Sequence, residues 1–370
     1  MSADERQQAH PRGIGRRGFI LGGGALWLAH GWVTPRLQAQ SGAAPIKVAQ
    51  IGTRHAHATG KMQAMRAAPQ DWQILGYSEK DSESAQLAGA SPTYRGFAFM
   101  EESALLATPG LQVVVVETHI DESCAAAVRA IRAGKHVHLD KPGALQHEEF
   151  RAMRQEAAQR GVIVQMGYML RYNPAFEFMF RCVREGWFGD IIEIDASMGK
   201  NSDAAERATV KALSGGSMFE LGGHPIDAIL TVMGSPPVAV EALSTPTRDD
   251  GVKDNQLAVL KFARATATVR TQLSDPFGTQ RRHFTVSGTK GSIEIRPLES
   301  GQVKLSLTSA RGAYSAGTHS FEVGPKQGRY DGEFRDLARV IRGEKPFGWT
   351  AEHDIAVHAT VLKASGLTAT

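Results

Sequence analysis

Apolar positions recur along this chain in two textures, one before and one after about residue 190. In the first, short apolar runs alternate with stretches of helical period. Ile46–Ile51 is such a run and closes on Gly52. A helical stretch follows at Lys61–Arg66, and a second strand is expected at Trp72–Tyr77. Leu111–Val116 holds four consecutive valines, the composition of a strand buried on both faces. Ser123–Ala133 has helical period and stops at Gly134, a helix-ending signal; His136–Leu139 is the next strand. Glu148–Arg160 predicts one more helix and Val162–Gly167 one more strand. This repetition implies a parallel, doubly wound sheet of the Rossmann type.

After that the pattern shortens to period two. Strands are expected at Ile191–Ala196, Pro237–Leu243, Leu257–Phe262, Thr266–Leu273, His283–Ser287, Ser292–Ile295 and Val303–Leu307. Turn residues such as those of Ser287–Gly291 separate them, which predicts a mixed or antiparallel sheet. Two helices, Gly332–Arg342 and Ala351–Ala364, close the chain. The expected organisation is α/β throughout: a dinucleotide-binding domain over 44–145, then a substrate domain over 146–370 whose last helix packs back on the first.

Residues 1–43 stand outside this pattern. Arg16-Arg17 precede Phe19-Ile20-Leu21 and a mild apolar stretch that reaches Val33. Three glycines, Gly22–Gly24, disfavour a stable helix, and the run is shorter than the roughly 20 apolar residues of a membrane span. A basic start, a short apolar segment and small residues near Ala39–Ala44 make an export signal of the twin-arginine type. The mature chain is then expected outside the cytoplasm, in the periplasm, without a membrane span.

That reading changes the meaning of charge. The 370 residues carry a formal +4. The leader, with five basic residues and two acidic ones, holds +3 of it. A nearly neutral mature chain gives no case for a nucleic-acid partner. Hydrophobic content of 42% and charged content of 22% exclude disorder. Cys124 and Cys182 form neither a metal spacing nor a disulfide framework and read as small buried residues.

The chemistry gathers at strand ends. Gly52 follows the first strand where a Rossmann fold places its phosphate loop, here Gly52-Thr53-Arg54-His55-Ala56-His57. Only the first glycine of G-x-G-x-x-G is present. Arg54 is positioned to replace lost backbone contacts with a charge-assisted one. His55 and His57 have no third ligand in the sequence pattern, so phosphate contact is preferred over a metal site. Glu79 ends the second strand, where a carboxylate binds ribose hydroxyls and repels a 2′-phosphate; this favours NAD, with NADP the alternative. Thr53 and Thr118 complete the expected cofactor contacts.

Three further motifs sit where strand–helix order turns them to one cleft. Gly134–Pro142 (GKHVHLDKP) puts Lys141 at the carboxyl end of a parallel strand. The segment GYMLRYNP offers Tyr168, Arg171, Tyr172 and Asn173, donors suited to a polyhydroxylated ligand. In GGSMFELGGHPID, Glu220 and His224 are four apart and share a face if helical, with Asp227 a turn on. Histidine is the side chain best suited to take an alcohol proton near neutral pH.

Together with the closing YDGEFRDLARVIRGEKP, these motifs make the chain from Ile46 onward resemble the glucose–fructose oxidoreductase, inositol dehydrogenase and rhizopine-catabolism family (Gfo/Idh/MocA). The resemblance implies a nicotinamide-dependent oxidoreductase acting on a secondary alcohol of a sugar or polyol. It implies that Lys141, of the family's Glu-Lys-Pro motif (here Asp140-Lys141-Pro142), holds the substrate hydroxyl and the nicotinamide ribose. It implies that His224 is the catalytic histidine, with Glu220 where many members carry aspartate. Arg171 is expected to touch both cofactor and substrate, and Tyr168, Tyr172, Asn173 and Asp227 the substrate. A homo-oligomer through the C-terminal sheet is expected. Export argues for a cofactor that stays bound. The rival readings are a redox-neutral NAD-dependent glycosidase or lyase, and a sugar-binding protein without catalysis.

Overall fold

A computed structural model describes residues 44–324 and 326–369. The expected signal at 1–43 lies outside the described residues. Six strands form a parallel sheet: β1 (Ile46–Ile51), β2 (Trp72–Ser78), β3 (Ala98–Phe99), β4 (Val113–Val116), β5 (His136–Leu139) and β6 (Val164–Met166). Their order is β3-β2-β1-β4-β5-β6, the doubly wound order whose switch point lies between β1 and β4. The valine run of β4 is fully buried, as a central parallel strand requires. Helices α1 (Ala58–Arg66), α2 (Ser82–Ala90), α3 (Glu102–Leu106), α4 (Ile120–Arg132) and α5 (His147–Gln159) connect the strands. Helix α4 carries Asp121 and Glu122 in its first turn and Arg129 and Arg132 in its last, matching the helix dipole.

The parallel sheet therefore runs past residue 145, where the sequence pattern puts the domain boundary. Helix α5 and strand β6 complete it, because β6 pairs in register with β5 from Val137 to Leu139.

A 3₁₀ turn at Met169–Tyr172 leads into α6 (Pro174–Arg184). Asn173 caps that helix through its side-chain oxygen, and Pro174 fits its first turn. Strand β7 (Ile191–Gly199) then enters the second sheet. Three helices follow: α7 (Ala204–Ala212), α8 (Gly216–Leu221) and α9 (Gly223–Met233). Strands β8 (Ala239–Ser244), β9 (Asn255–Lys261), β10 (Thr266–Gln272), β11 (His283–Gly288), β12 (Gly291–Ile295), β13 (Gln302–Leu307) and β14 (Gly317–Glu322) complete an eight-stranded mixed sheet, with a short α10 (Gly278–Arg281) before β11. All neighbouring pairs are antiparallel except β7 with β10. Alternation sets the buried face: Gln256, Ala258 and Leu260 of β9 point inward, as do Val303, Leu305 and Leu307 of β13. Helices α11 (Asp331–Ile341) and α12 (Ala351–Ala364) end the chain. The last of these packs on α5 and α9, and α11 on α1. No helix among the described residues is long and apolar enough to cross a membrane.

One buried ion network ties these layers. Arg171, in the 3₁₀ turn, has no exposed side-chain surface. Its Nε donates to Asp227 Oδ2 at 3.0 Å, and its Nη2 donates to Asp227 and Asp354 at 2.6 Å each. Arg154 of α5 reaches the other oxygen of Asp354 at 2.7 Å. Trp349 and Tyr168 lie against the guanidinium at 4.1 and 4.8 Å. Three segments distant in sequence thus meet at one guanidinium, and α5 joins them through Asp354. Removing the guanidinium leaves Asp354 with only Arg154 and Asp227 with only His353, 2.9 Å away, in a buried setting. Arg171→Met should lower unfolding free energy by about 3–5 kcal/mol. Arg151→Met, on an exposed i,i+3 pair, should change it by under about 1 kcal/mol. Urea unfolding of both variants checks this; equal midpoints would contradict the role given to Arg171.

Candidate active site

The cofactor loop is built by a glycine in a conformation few other residues adopt. Gly52 has φ +86°, and a Cβ placed on it would lie 2.5 Å from the backbone of Thr118. The loop therefore crosses directly over the end of β4, and only hydrogen fits between them. The Gly52 amide donates to Ser78 O at 2.7 Å, which joins the ends of β1 and β2. Glu79 follows. Its Oε2 accepts from Thr53 N at 2.7 Å and Thr53 Oγ1 at 2.9 Å, and its Oε1 from Asp81 N at 3.0 Å. The carboxylate is thus preset at the end of β2, beside the loop. Helix α1 opens at Ala58 with no side-chain cap from His57; the Ala58 amide is taken by His55 O at 3.0 Å, so only the amides after it remain for a ligand. A glycine crossing, a preset acid and an uncapped helix start on one edge fit a dinucleotide.

Behind the loop lies a buried cluster that the sequence pattern does not show. Asp140 Oδ2 takes His57 Nδ1 at 2.8 Å, Lys61 Nζ at 2.8 Å and His55 Nδ1 at 3.1 Å, while Oδ1 accepts from the Lys141 amide at 2.6 Å. Lys61 also meets Glu117 at 3.0 Å and Glu333 of α11 at 4.0 Å. Burial opposes a charge on Asp140, but Lys61, His55 and His57 overcome it and hold the carboxyl well below its usual range. Burial likewise opposes a charge on His55, but Asp140 and Glu117 push it up to about 10, so it is an imidazolium. Burial lowers His57, which stays neutral and donates Nδ1–H to Asp140. His55, His57 and Asp140 are close enough to share a metal ion. However, Lys61 already holds the same Asp140 oxygen as a cation, and we assign no metal there.

Lys141 projects from the end of β5. Its Nζ donates to Glu220 O at 2.8 Å and lies 3.7 Å from Glu220 Oε1. Burial acts to raise the Glu220 carboxyl, but Lys141 and Lys200 overcome it and keep it below the usual range. Glu220 and His224 do not share one helix, as the sequence spacing suggests. Gly222 separates α8 from α9, and Glu220 ends one while His224 begins the other. His224 is buried, and its Nδ1 has no hydrogen-bond partner among the described residues. Burial, followed by the charges of Lys141 and Arg329, holds it well below its usual pKa. It is a neutral imidazole with a free nitrogen, the state a base needs.

The cleft between the sheets is lined by Arg54, His55 and Ala56 of the loop, His119 and Ile120 at the start of α4, and Lys141 with Pro142. Glu220, Lys200 and helix α7 form its other wall. The structure thus brings Arg54, His55, Lys141 and Glu220 to one cavity. Gly52, Thr53, Glu79 and Thr118 stand on the adjoining edge of the parallel sheet.

It does not bring Arg171 and Asp227 to that cavity, where the sequence reading puts them. They neutralise each other in the network above, because the 3₁₀ turn tucks beneath α9. Tyr168 is buried with its ring 6.1 Å from that of His224, and its phenol is pushed far up by burial. Tyr172 accepts from Gln165 at 3.0 Å, and Asn173 is the cap of α6. These three support the site from behind. Conversely, Lys61, Glu117, Glu333, Lys200 and Glu206 went unread. A hint existed in the sequence for two of them: Lys61 lies on the helix face of Ala58, Met62 and Met65, and Glu117 ends the valine run.

The Rossmann edge thus stands beside a cleft that holds Lys141, while the neutral His224 is buried at the start of α9, outside the residues that line that cleft. Comparison with known proteins supplies the class. The model "Oxidoreductase family, NAD-binding Rossmann fold" matches residues 46–168, and the GFO/IDH/MocA C-terminal domain matches 176–294. The chain belongs to the Gfo/Idh/MocA family of oxidoreductases. It is similar to trans-1,2-dihydrobenzene-1,2-diol dehydrogenase of Bos taurus, 27% identical over 60% of this chain and 66% of that protein. It is also similar to the scyllo-inositol 2-dehydrogenase (NAD(+)) of Bacillus subtilis, 27% identical over 60% of this chain and 63% of that protein. The chain thus aligns with slightly less than two thirds of these relatives. In fold it resembles the UDP-N-acetylglucosamine 3-dehydrogenase of Acidithiobacillus ferrooxidans, with TM-score 0.73, 20% identity, 88% of this chain and 99% of that one. It likewise resembles the aldose-aldose oxidoreductase of Caulobacter crescentus, with TM-score 0.72, 22% identity, 87% of this chain and 98% of that one.

The buried cluster generates a pH prediction. Burial pushes Glu333 up from 4.5 to about 8. Between those values the folded state holds a proton that the unfolded chain has lost. Stability from this group is therefore full below about 4.5 and falls as pH rises toward about 8. Glu333→Gln removes the titration and should flatten that decline. Urea midpoints at pH 5 and pH 8 measure it; an identical decline in both proteins would refute the assignment.

Proposed function

We propose that the protein oxidises a secondary alcohol of a sugar or sugar-like polyol, using NAD in preference to NADP. The observation that carries this reading is the pairing of a buried lysine at the end of β5 with a neutral, unpartnered histidine at the start of α9. Gly52, Thr53, Arg54, His55, Glu79 and Thr118 would hold the dinucleotide, which accepts the carbinol hydride when bound. Lys141 fixes the substrate oxygen and offers its positive charge as alkoxide character develops. His224, held as a neutral imidazole, takes the hydroxyl proton. Glu220 restrains the lysine ammonium through its carbonyl and balances its charge. The two relatives named as diol and inositol dehydrogenases support a substrate with neighbouring hydroxyls.

The paired arginines at 16–17 support export, and export favours a cofactor carried through and kept. A closed redox cycle follows from that reading. Either a second substrate re-oxidises the cofactor, or the first is re-reduced in the course of an elimination. Denaturing the exported protein and quantifying released nicotinamide tests this part; an empty site with activity dependent on added NAD would end it.

His224→Ala should lower turnover by roughly 10²–10⁴ while NAD affinity changes little, and Lys141→Met should lower turnover as far and also weaken NAD, since the lysine is expected to reach the nicotinamide ribose. Full turnover in either variant would sink the assignment. Because His224 is held neutral, kcat/KM should remain level as pH falls through about 6.5, the ordinary histidine value. An acid limb centred at that value would contradict it. Glu79→Ala should narrow the preference for NAD over NADP. Equal affinities for the two in the unmodified protein would remove the basis for that preference.

A further inference from the structure

We propose that Lys200 and helix α7 form the substrate wall of the cleft, and that this wall takes a neutral polyol rather than a sugar acid. The inference rests on the reading that redox chemistry occurs at Lys141 and His224, and it adds the face opposite them.

Lys200 follows β7 directly, and Glu206, Thr209, Val210 and Leu213 turn from α7 toward Lys141 and Pro142. Three like distances describe the polar part. Glu220 Oε1 is 3.7 Å from Lys141 Nζ and 3.9 Å from Lys200 Nζ, and Glu206 Oε2 is 3.7 Å from Lys200 Nζ. All three exceed hydrogen-bond length. The groups attract one another but do not close, so each gap is suited to a group that donates to the carboxylate and accepts from the ammonium. A hydroxyl does both; a carboxylate or a methylene does not. The row alternates Lys141, Glu220, Lys200, Glu206, so positive and negative charges balance. The other cations lining the cleft, Arg54 and His55, stand on the loop that would hold the dinucleotide, so an added carboxylate on the α7 side would meet Glu220 and Glu206 with no cation beyond the row. Neighbouring hydroxyls would each find one gap. Thr209 donates its own hydroxyl to Ala205 O at 3.2 Å and keeps its oxygen for accepting. Val210 and Leu213 supply an apolar floor for carbon-bound hydrogens.

The wall is held before any ligand arrives. Asp203 caps α7 by accepting from Glu206 N at 2.9 Å. Arg207, on the face away from the cleft, is buried and donates to Asp254 and Asp250 at 2.9 Å each. Asp254 in turn accepts from Thr247 N at 2.7 Å and Ser274 Oγ at 2.8 Å. Substituting the cleft-facing Lys200 or Glu206 therefore leaves the anchoring intact.

Titration calorimetry on the NAD-loaded full chain tests the proposal with glucose, myo-inositol and glucuronate as probes. At least one neutral probe should bind, and glucuronate should bind at least about tenfold more weakly than glucose. Lys200→Met and Glu206→Gln, checked as folded by circular dichroism, should weaken the neutral probe about tenfold, the scale of a lost polar contact. NAD affinity should stay within about twofold. Glucuronate binding as tightly as glucose, no binding by either neutral probe, or wild-type polyol affinity in both variants would overturn the inference. Polyol oxidation that depends on Lys141 but ignores Lys200 and Glu206 defeats this proposal and leaves the redox reading. Polyol binding that depends on the wall, with no hydride transfer, does the reverse.

Discussion

The Asp140 carboxylate is the point on which both halves of the candidate site rest. It lies at the end of β5, one residue before the lysine proposed to hold substrate. Its two oxygens collect Lys61, His55 and His57 from the loop-and-helix that follows β1, together with the Lys141 amide. The cofactor loop and the reactive lysine are therefore referenced to the same atoms. A shift of β5 against β1 would break charge-assisted bonds in a buried setting, where an unpaired carboxylate is costly. Where related motifs place a glutamate, the shorter aspartate keeps its head close to the strand end. The buried ammonium of Lys61 comes to it from α1.

A second buried node performs the same service for the other sheet. Arg171 holds Asp227 of α9 and Asp354 of α12, and α9 carries His224 at its first turn. The two nodes flank the cleft from behind, one under the lysine and one under the histidine. Apart from His55, which also lines the cleft, both are built from charges outside its lining. This arrangement lets the cleft itself stay loosely paired. Its ammonium and carboxylate groups sit beyond hydrogen-bond length from one another because the neighbouring structure, not the ligand, fixes their backbones.

How much of this was legible in the sequence follows from which interactions are local. The parallel order, the valine strand and the alternation of the second sheet depend on period and turn residues, and these can be read along the chain. Gly52, Glu79 and Lys141 were readable because strand ends have fixed places in such a sheet. The misreadings share one cause. Arg171 and Asp227 look like ligand contacts, as polar groups in loop-like motifs do. Only the packing of α12, almost 200 residues on, reveals that Asp354 closes their network. Lys61 and Glu333 are the converse case: a lone lysine on the apolar face of a helix is only a hint, and an acid in a C-terminal helix is none, until the two helices meet. Gly222 concealed the break between α8 and α9, since a glycine within a helical pattern is often tolerated.

The phosphate loop keeps only the first of the three glycines of the dinucleotide fingerprint. In G-x-G-x-x-G the later glycines allow backbone amides to come close to phosphate and let the helix pack on the strand. Here Arg54 and His57 occupy those places, and the helix still packs, because His57 turns its ring inward to Asp140 and Tyr330. The side chain that blocks close approach of backbone is thereby removed from the phosphate side. What faces the cleft instead is charge, from Arg54 and the imidazolium of His55. A loop of this kind exchanges several short neutral hydrogen bonds for fewer, longer-reaching ionic ones. Such contacts are the more sensitive to salt and to the protonation of His55, and less sensitive to the exact path of the backbone. The positive φ at Gly52 is the one feature that this exchange cannot replace, since there the backbone of Thr118 leaves no room for any side chain.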